Sequence, residues 1–414
     1  MKINHRNNKK NKGVLMINDP AARVQDYLAF GEYGGVNPSI EDASTFTFLS
    51  VDKMAELFEH EIEGCFLYSR HLNPMNHYLG RALSLMEDTE YAQITSSGMA
   101  AISCALLQIC SSGDEIISSR TIYGGTYAIM KNFFPKFGIN THFVNIVDID
   151  SIRAKINEKT KVIYCETISN PLLEVADLKA MRKLCDEFNL QLVVDNTFSP
   201  MMVTPIHHGA DVVIHSLTKY INGSSDCVAG VICASHDFVV SLRDVNNGAA
   251  MLLGPVMDSM RSASILKNTH TLHVRMKKHS DNAMYVAERF EKLGLKVFYP
   301  GLKSHPQHEL LTSMMNPGYG YGGIIAIDAG TEEKANNLMM KMQEQLVGYF
   351  AVSLGFYKTL FSSPGSSTSS EIPHEEQESM GMSPGLVRFS IGLDNNIERS
   401  YERIESCLRE VGVI

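Results

Sequence analysis

The sequence predicts an α/β fold: a large domain built on a mainly parallel sheet, then a smaller α+β domain at the C-terminus. Three observations carry that prediction. Short apolar strands alternate with helical segments between about residues 66 and 265. Those strands are apolar on both faces, as strands covered by helices on both sides must be. After about residue 265 the pattern changes to long amphipathic helices with isolated strands.

Residues 1–65 show little periodicity, and their Asn, Lys, Gly and Glu clusters predict an extended arm. The large domain is expected over 66–265. "MAAISCALLQIC" (99–110) has helical apolar spacing, and "GDEIISS" (113–119) reads as a turn and a strand. Further strands are predicted at 141–147, 161–168, 190–197, 211–216 and 228–235, with a helix over 176–188. The C-terminal domain is expected over 266–414. It opens on a long amphipathic helical stretch (267–294) and continues with the strand "YGGIIAIDAG" and the helix "EKANNLMMKMQEQL". A Ser-rich loop, "SSPGSSTSSEIP" (362–373), and a late strand, "GLVRFSIGL" (385–393), follow. A loop of that composition can cover a site.

The 414 residues are 44% hydrophobic and 20% charged, enough for two or three compact units with large cores. The formal charge of -9 argues against nucleic acid as a partner, which needs a basic face. Eight cysteines are scattered without a CxxC pair, several inside apolar runs. They read as reduced, packed thiols of a cytoplasmic protein, and no metal site is expected. The basic N-terminal stretch has no long apolar segment after it, so no signal peptide is expected. No run reaches the ~20 apolar residues of a membrane span.

The ends of the predicted strands carry polar residues. "VVDNT" puts Asp195 past an apolar strand, "YCETISNP" puts Glu166 and Asn170 at a second end, and "VIHSLTK" puts Ser216, Thr218 and Lys219 at a third. "SSGMAA" is a small-residue turn directly before a helix. In a parallel sheet these ends face one crevice. A pyridoxal phosphate enzyme needs a lysine amine, and a carboxylate to keep the pyridine nitrogen protonated. It needs a helix N-terminus and hydroxyls for the phosphate. It needs an arginine fork for the substrate carboxylate. Lys219, Asp195, Gly98, Met99, Ser216, Thr218 and Arg388 meet that set. Each alone has a bland reading as a surface lysine, a turn residue, an N-cap or an edge strand. The ordered combination is far more specific than its members.

The sequence resembles the Cys/Met-metabolism pyridoxal phosphate enzymes from about Tyr68 to Asp394. The markers are "YSRHLNP" (68–74), "SSGMAAI" (96–102), "YGGTYA" (123–128), "ETISNP" (166–171), "VVDNTF" (193–198), "HSLTKYINGSSD" (215–226), "VSLG" (352–355) and "GLVRFSIGLD" (385–394). The resemblance implies the PLP-dependent transferase fold of type I. It implies that Lys219 anchors the cofactor and shuttles protons, and that Asp195 pairs with the pyridine nitrogen. Tyr123 would stack on the ring and protonate the leaving group. Gly98, Met99, Ser216 and Thr218 would hold the phosphate, and Arg388 and Ser353 the substrate's α-carboxylate. Glu166 and Asn170 would lie near the ring substituents. Tyr68 and Arg70 match residues that reach the phosphate of a neighbouring subunit, as would the arm. That implies a homotetramer, a dimer of dimers with shared active sites.

The implied activity is γ-elimination on a small sulfur amino acid, foremost L-methionine to methanethiol, 2-oxobutanoate and ammonia. The alternatives are an O-acylhomoserine sulfhydrylase or a cystathionine γ-synthase or γ-lyase. Relatives that handle cystathionine resemble one another in two acidic residues for its distal amine; here those positions are Leu67 and Val352. An apolar wall leaves a distal ammonium unpaired, which is costly. Other departures are Gly125, where methionine-specific relatives carry cysteine, Gly223-Ser224, Lys358 and Met75. Arg70 and the bound cofactor are expected to lower the pKa of Tyr123 toward the working range.

Overall fold

The computed structural model describes residues 19–48, 50–59, 62 and 64–414; residues 1–18 of the expected arm lie outside the described residues. Two helices form within the arm, Pro20–Gln25 and Val51–Glu59. Asp19 caps the first through Ala21 N at 3.0 Å, and Pro20 fits the first helical turn. Buried Arg23 donates to the carbonyls of Leu85 and Met86, both at 2.8 Å. Those carbonyls end the helix Pro74–Glu87, where a cation is favoured. The helix Pro20–Gln25 is therefore docked on its own chain.

The large sheet has seven strands: β1 (Tyr91–Thr95), β2 (Glu115–Ser119), β3 (Asn140–Val144), β4 (Thr160–Glu166), β5 (Gln191–Asp195), β6 (Val212–Ser216) and β7 (Gly230–Ala234). Their order is β1-β7-β6-β5-β4-β2-β3. All pairings are parallel except the two made by β7, which runs against β1 and β6. Six carboxyl ends therefore share one edge. The centre is apolar on both faces: Val162, Ile163, Tyr164 and Cys165 are all fully buried, as are Leu192, Val193 and Val194. Each such aliphatic side chain contributes roughly 1.5–3 kcal/mol on burial. The helix Leu178–Phe188 shows the matching period, burying Leu178, Met181, Leu184 and Cys185 behind the Asp177 cap.

Strand β1 escapes a sequence reading because buried Gln93 and Thr95 interrupt its apolar run. Gln93 is satisfied by the buried guanidinium of Arg243. The 267–294 stretch, expected as one helix, is two: Ser259–Thr269 and Leu272–Lys292, broken at His270-Thr271. The smaller sheet runs β10 (Gly348–Phe350), β11 (Thr359–Ser362), β12 (Leu386–Ser390), β9 (Ile324–Asp328) and β8 (Val297–Phe298). It packs its own core, in which Phe290, Phe361 and Phe389 meet at ring separations of 5.7 and 6.4 Å. Strands β10 and β11 are short and go unseen in the pattern. The eight cysteines are free thiols, six of them buried. Among the described residues no helix is long and apolar enough to cross a membrane.

Candidate active site

The shared edge of carboxyl ends opens onto a cavity of about 280 Å³. Strand β4 ends in Glu166, β5 in Asp195 and β6 in Ser216. After β1 the chain turns at Ser96-Ser97 into the helix Gly98–Ile109. Ser97 Oγ accepts from Ala100 N at 3.0 Å, capping that helix one position beyond Gly98 and Met99. A Cβ on Gly98 would stand 2.8 Å from the Ser216 Cβ, so only glycine lets this helix start meet the end of β6. Gly98, Met99, Ser216 and Thr218 all line the cavity beside Lys219 and Asp195.

Asp195 is held in place by two donors. Thr197 N donates to Oδ1 at 2.9 Å, and the fully buried Tyr164 donates its hydroxyl to Oδ2 at 3.4 Å. Burial pushes the Asp195 carboxyl up, against these hydrogen bonds and the nearby His215. Glu166 lies in the same wall. It accepts from Tyr123 N and Asn170 N, both at 2.8 Å, and burial next to Asp195 pushes it up as well. Two buried carboxyls side by side disfavour each other's charge; a cation between them relieves that.

Lys219 follows β6 in a tight turn. Its Nζ donates to Ser353 Oγ at 3.3 Å. Burial, with Arg388 as a second cation, lowers its pKa to about 8. A neutral lysine amine is the nucleophile that carbonyl chemistry needs. Arg388, on β12, is buried to 3% exposure. It donates to Asn170 Oδ1 at 2.8 Å, and more loosely to Ser362 Oγ at 3.4 Å and Ser353 O at 3.5 Å. It forms no ion pair among the described residues, and burial lowers its pKa to about 10. A buried guanidinium without an anion is a receptor for an incoming carboxylate.

The remaining wall comes from loops. Tyr123 is 41% exposed at the mouth. Burial and then Glu371 push its pKa up, while Arg388 pulls it down. Within this chain alone the shift is therefore upward, and Arg70, one expected cause of a lowered tyrosine pKa, is not among the groups that act on it. Within this chain Arg70 is turned elsewhere: it donates to Met251 O at 2.9 Å and lies 5.6 Å from the Tyr68 ring centroid. The Ser-rich loop folds back over the mouth, with Gly124 N donating to Thr368 O at 3.0 Å. Thr368 lines the cavity, and its buried hydroxyl has no partner among the described residues. Apolar Ile102, Ile168, Phe198, Val228, Val352 and Leu354 fill the gaps.

The structure thus brings Lys219, Tyr123, Asp195, Gly98, Met99, Ser216, Thr218, Asn170, Ser353, Val352 and Arg388 to one cavity. Leu67, Tyr68 and Arg70 do not line it within this chain. Leu67 instead lines a separate cleft with Leu57 and His71. Sequence reasoning missed Thr197, Tyr164 and Glu371. Thr197 had a signal in the "DNT" after β5; it holds both Asp195 and Ser216, the latter by Ser216 N donating to its Oγ1 at 2.8 Å. Tyr164 read as plain core, and nothing local marks Glu371.

These residues fit pyridoxal phosphate. Lys219 stands ready as the amine, and Asp195 is a buried carboxyl that a protonated ring nitrogen would satisfy. The helix start at Gly98-Met99, with Ser216 and Thr218, is an anion cradle joined to a further observation, the glycine contact that keeps it open.

Comparison with known proteins agrees. The chain matches the family described as Cys/Met metabolism PLP-dependent enzyme over residues 24–399. It is 44% identical to the methionine gamma-lyase of Arabidopsis thaliana, covering 96% of this chain and 92% of that protein. It is 35% identical to the L-methionine gamma-lyase of Fusobacterium nucleatum subsp. polymorphum, over 90% of this chain and 95% of that protein. The crystal structure of a protein described as an O-acetylhomoserine (thiol)-lyase from Campylobacter jejuni superposes with a TM-score of 0.88 at 26% identity. That match covers 94% of this chain and 100% of the other, which carries a pyridoxyl-lysine monophosphate.

Proposed function

The chain belongs to the Cys/Met metabolism PLP-dependent enzymes, and within that chemistry we propose that it is a carbon–sulfur lyase cleaving L-methionine to methanethiol, 2-oxobutanoate and ammonia. The observation that carries this reading is the pairing of a buried, anion-free Arg388 with an apolar wall that includes Val352, Phe198 and Ile168. One end of the cavity suits an α-carboxylate and the other a thioether methyl. A distal ammonium would find no carboxylate in the Val352 wall.

Bound pyridoxal phosphate supplies the electron sink that makes the substrate's Cα and Cβ protons acidic. The protein supplies the rest. Arg388, oriented by Asn170 Oδ1, and Ser353 bind the α-carboxylate and fix the substrate's orientation. Asp195, aligned by Thr197 and Tyr164, holds the ring nitrogen proton. Lys219 would take the proton from Cα and carry it onward. Its low pKa keeps a useful share of the amine neutral near neutral pH. Tyr123 gives its proton to the departing sulfur, so methanethiol leaves neutral. Its raised pKa keeps the hydroxyl protonated until then. The apolar wall excludes water until the sulfur has gone.

The wider proposal completes the site with a second copy. Tyr68, Arg70 and Leu67 lie outside the cavity of their own chain, which suits a contribution to a neighbour's site. The assembly is then a homotetramer of two such dimers. The units are an arm over 1–65, a cofactor domain over 66–265 and a C-terminal domain over 266–414. The compartment is the cytoplasm, where free thiols persist.

The test is to incubate the purified protein with L-methionine, L-cystathionine or O-acetylhomoserine, the last with and without sulfide. Release of 2-oxobutanoate from methionine is expected. Homocysteine formation that depends on sulfide, with no release from methionine, would replace the lyase by a transferase.

A further inference from the structure

The turn that carries Lys219 is gripped from the other side of the protein. Lys219 N donates to Ser216 O at 3.3 Å, Asn222 N to Leu217 O at 2.9 Å, and Gly223 N to Lys219 O at 2.8 Å. Residues 216–223 therefore form one compact turn, in which Tyr220 and Ile221 are buried. The carbonyls of both point at Arg275, on the helix Leu272–Lys292. Arg275 Nη1 donates to Tyr220 O, and Nη2 donates to Ile221 O at 2.9 Å. Nη2 also donates to Asn268 O at 2.9 Å, at the end of the helix Ser259–Thr269.

Two hydrogen bonds and two close approaches at glycine hold the same place. Asn268 Nδ2 donates to Asn222 Oδ1 at 2.8 Å and to Ser224 Oγ at 3.2 Å. Gly223 has φ +71°, and a Cβ there would run into Arg275 Nη1. Gly355 has φ +77°, and a Cβ there would stand 2.6 Å from Tyr220 N. Tyr220, the residue just after Lys219, is thus held at its carbonyl by Arg275 and crowded at its amide by the 353–355 segment.

Arg275 forms no ion pair among the described residues, and burial lowers its pKa to about 10. An unpaired guanidinium costs free energy when its water is stripped away. A neutral side chain could fill the space for less. What the charge adds is a rigid, planar fork that three carbonyls share.

We propose that Arg275 is a positioning residue for Lys219: its fork on the Tyr220 and Ile221 carbonyls fixes the turn from which the lysine amine reaches the cavity. It touches neither substrate nor cofactor. Ser353 and Arg388 act on the lysine amine, and Tyr123, Glu166 and Asp195 share its cavity; Arg275 is not among them. This proposal rests on the cofactor reading of Lys219 and not on the choice of substrate.

The experiment uses the full chain with Arg275→Gln and with Arg275→Lys. The cofactor-free proteins are mixed with pyridoxal 5′-phosphate, and capture is followed by the visible absorption of the lysine-bound cofactor across pH. Thermal midpoints are taken alongside, then kcat and KM for L-methionine. Capture by Arg275→Gln should slow by about 10- to 100-fold, the scale of a ~1 Å misplacement. Its pH midpoint should rise from about 8, because a loosened turn lets the amine reach water. kcat should fall with KM little changed, and Arg275→Lys should recover part of the loss. Parental capture rate and pH midpoint in a folded variant would overturn the proposal. If Arg275→Gln does not fold, the same readouts on Arg275→Lys decide. Capture needs no amino-acid substrate, so a protein inactive on methionine still tests Arg275.

Discussion

The two halves of the cavity are built differently. The inner half, around Asp195, Ser216 and Gly98, stands on strand ends of the large sheet and is fixed by backbone pairing. The outer half, around Tyr123, Val352, Thr368 and Arg388, is assembled from loops and one strand of the smaller sheet. In the inner half a polar residue has few places to go, since its neighbours in the ladder set its direction. In the outer half each side chain depends on the path of a separate loop. On the proposed function, cofactor chemistry falls to the rigid half and substrate choice to the adaptable one. Substitutions in the first should abolish reaction, those in the apolar wall of the second should redirect it, and loss of the Tyr123 acid should slow it.

The largest effect is expected at Lys219. Lys219→Ala should lose the absorption of the lysine-bound cofactor and more than about 10⁴-fold of activity, beyond what one acid–base group usually supplies. A variant that keeps that absorption would move the anchor to another lysine and break the distinction between the halves.

Tyr123→Phe comes next. Loss of one positioned acid should cost about 10²- to 10⁴-fold in kcat, with KM changed far less. An unchanged kcat would assign the proton on the departing sulfur to another donor.

A third effect concerns pH. The Lys219 amine has its pKa lowered to about 8 by burial and Arg388. The neutral amine is the reactive form, so capture of the cofactor should rise with pH through about 8 and level above it. A rise continuing toward the ordinary lysine value of about 10.4 would show that the amine is not desolvated.

The smallest effect sharpens the outer half. Val352→Asp puts a carboxylate in the apolar wall, where it can greet a distal ammonium. The preference for methionine over cystathionine should fall by about tenfold, worth roughly 1.4 kcal/mol. No change would place the selective contact elsewhere, with Leu67 of a neighbouring copy as the next candidate.

The inner half was legible in the sequence for a physical reason. A buried strand is a run of apolar residues, and the polar residue that ends it stands out, as Asp195, Glu166 and Ser216 do. Lys219 stands out because a lysine beside a buried strand needs a task. The supports were harder to see. Tyr164 is one apolar-looking residue among others in β4, and only the fold shows its hydroxyl on Asp195. Strand β1 hides because buried Gln93 is paid for by Arg243, far away in sequence. The outer half was legible only in part. Arg388 is recognisable within its strand, but Glu371 reaches Tyr123 through the path of a Ser-rich loop. Burial first and then Glu371 set the direction of the Tyr123 shift, and Arg70, one expected cause of the opposite shift, is engaged elsewhere in this chain.

The central claim is that a buried arginine and an apolar wall select a methyl thioether over one that carries a distal ammonium. Its most direct measurement is kcat/KM of the purified enzyme for L-methionine and for L-cystathionine under the same conditions, read as 2-oxobutanoate formed. The account predicts the larger value for methionine, with methanethiol released in equal amount. A larger value for cystathionine would contradict it.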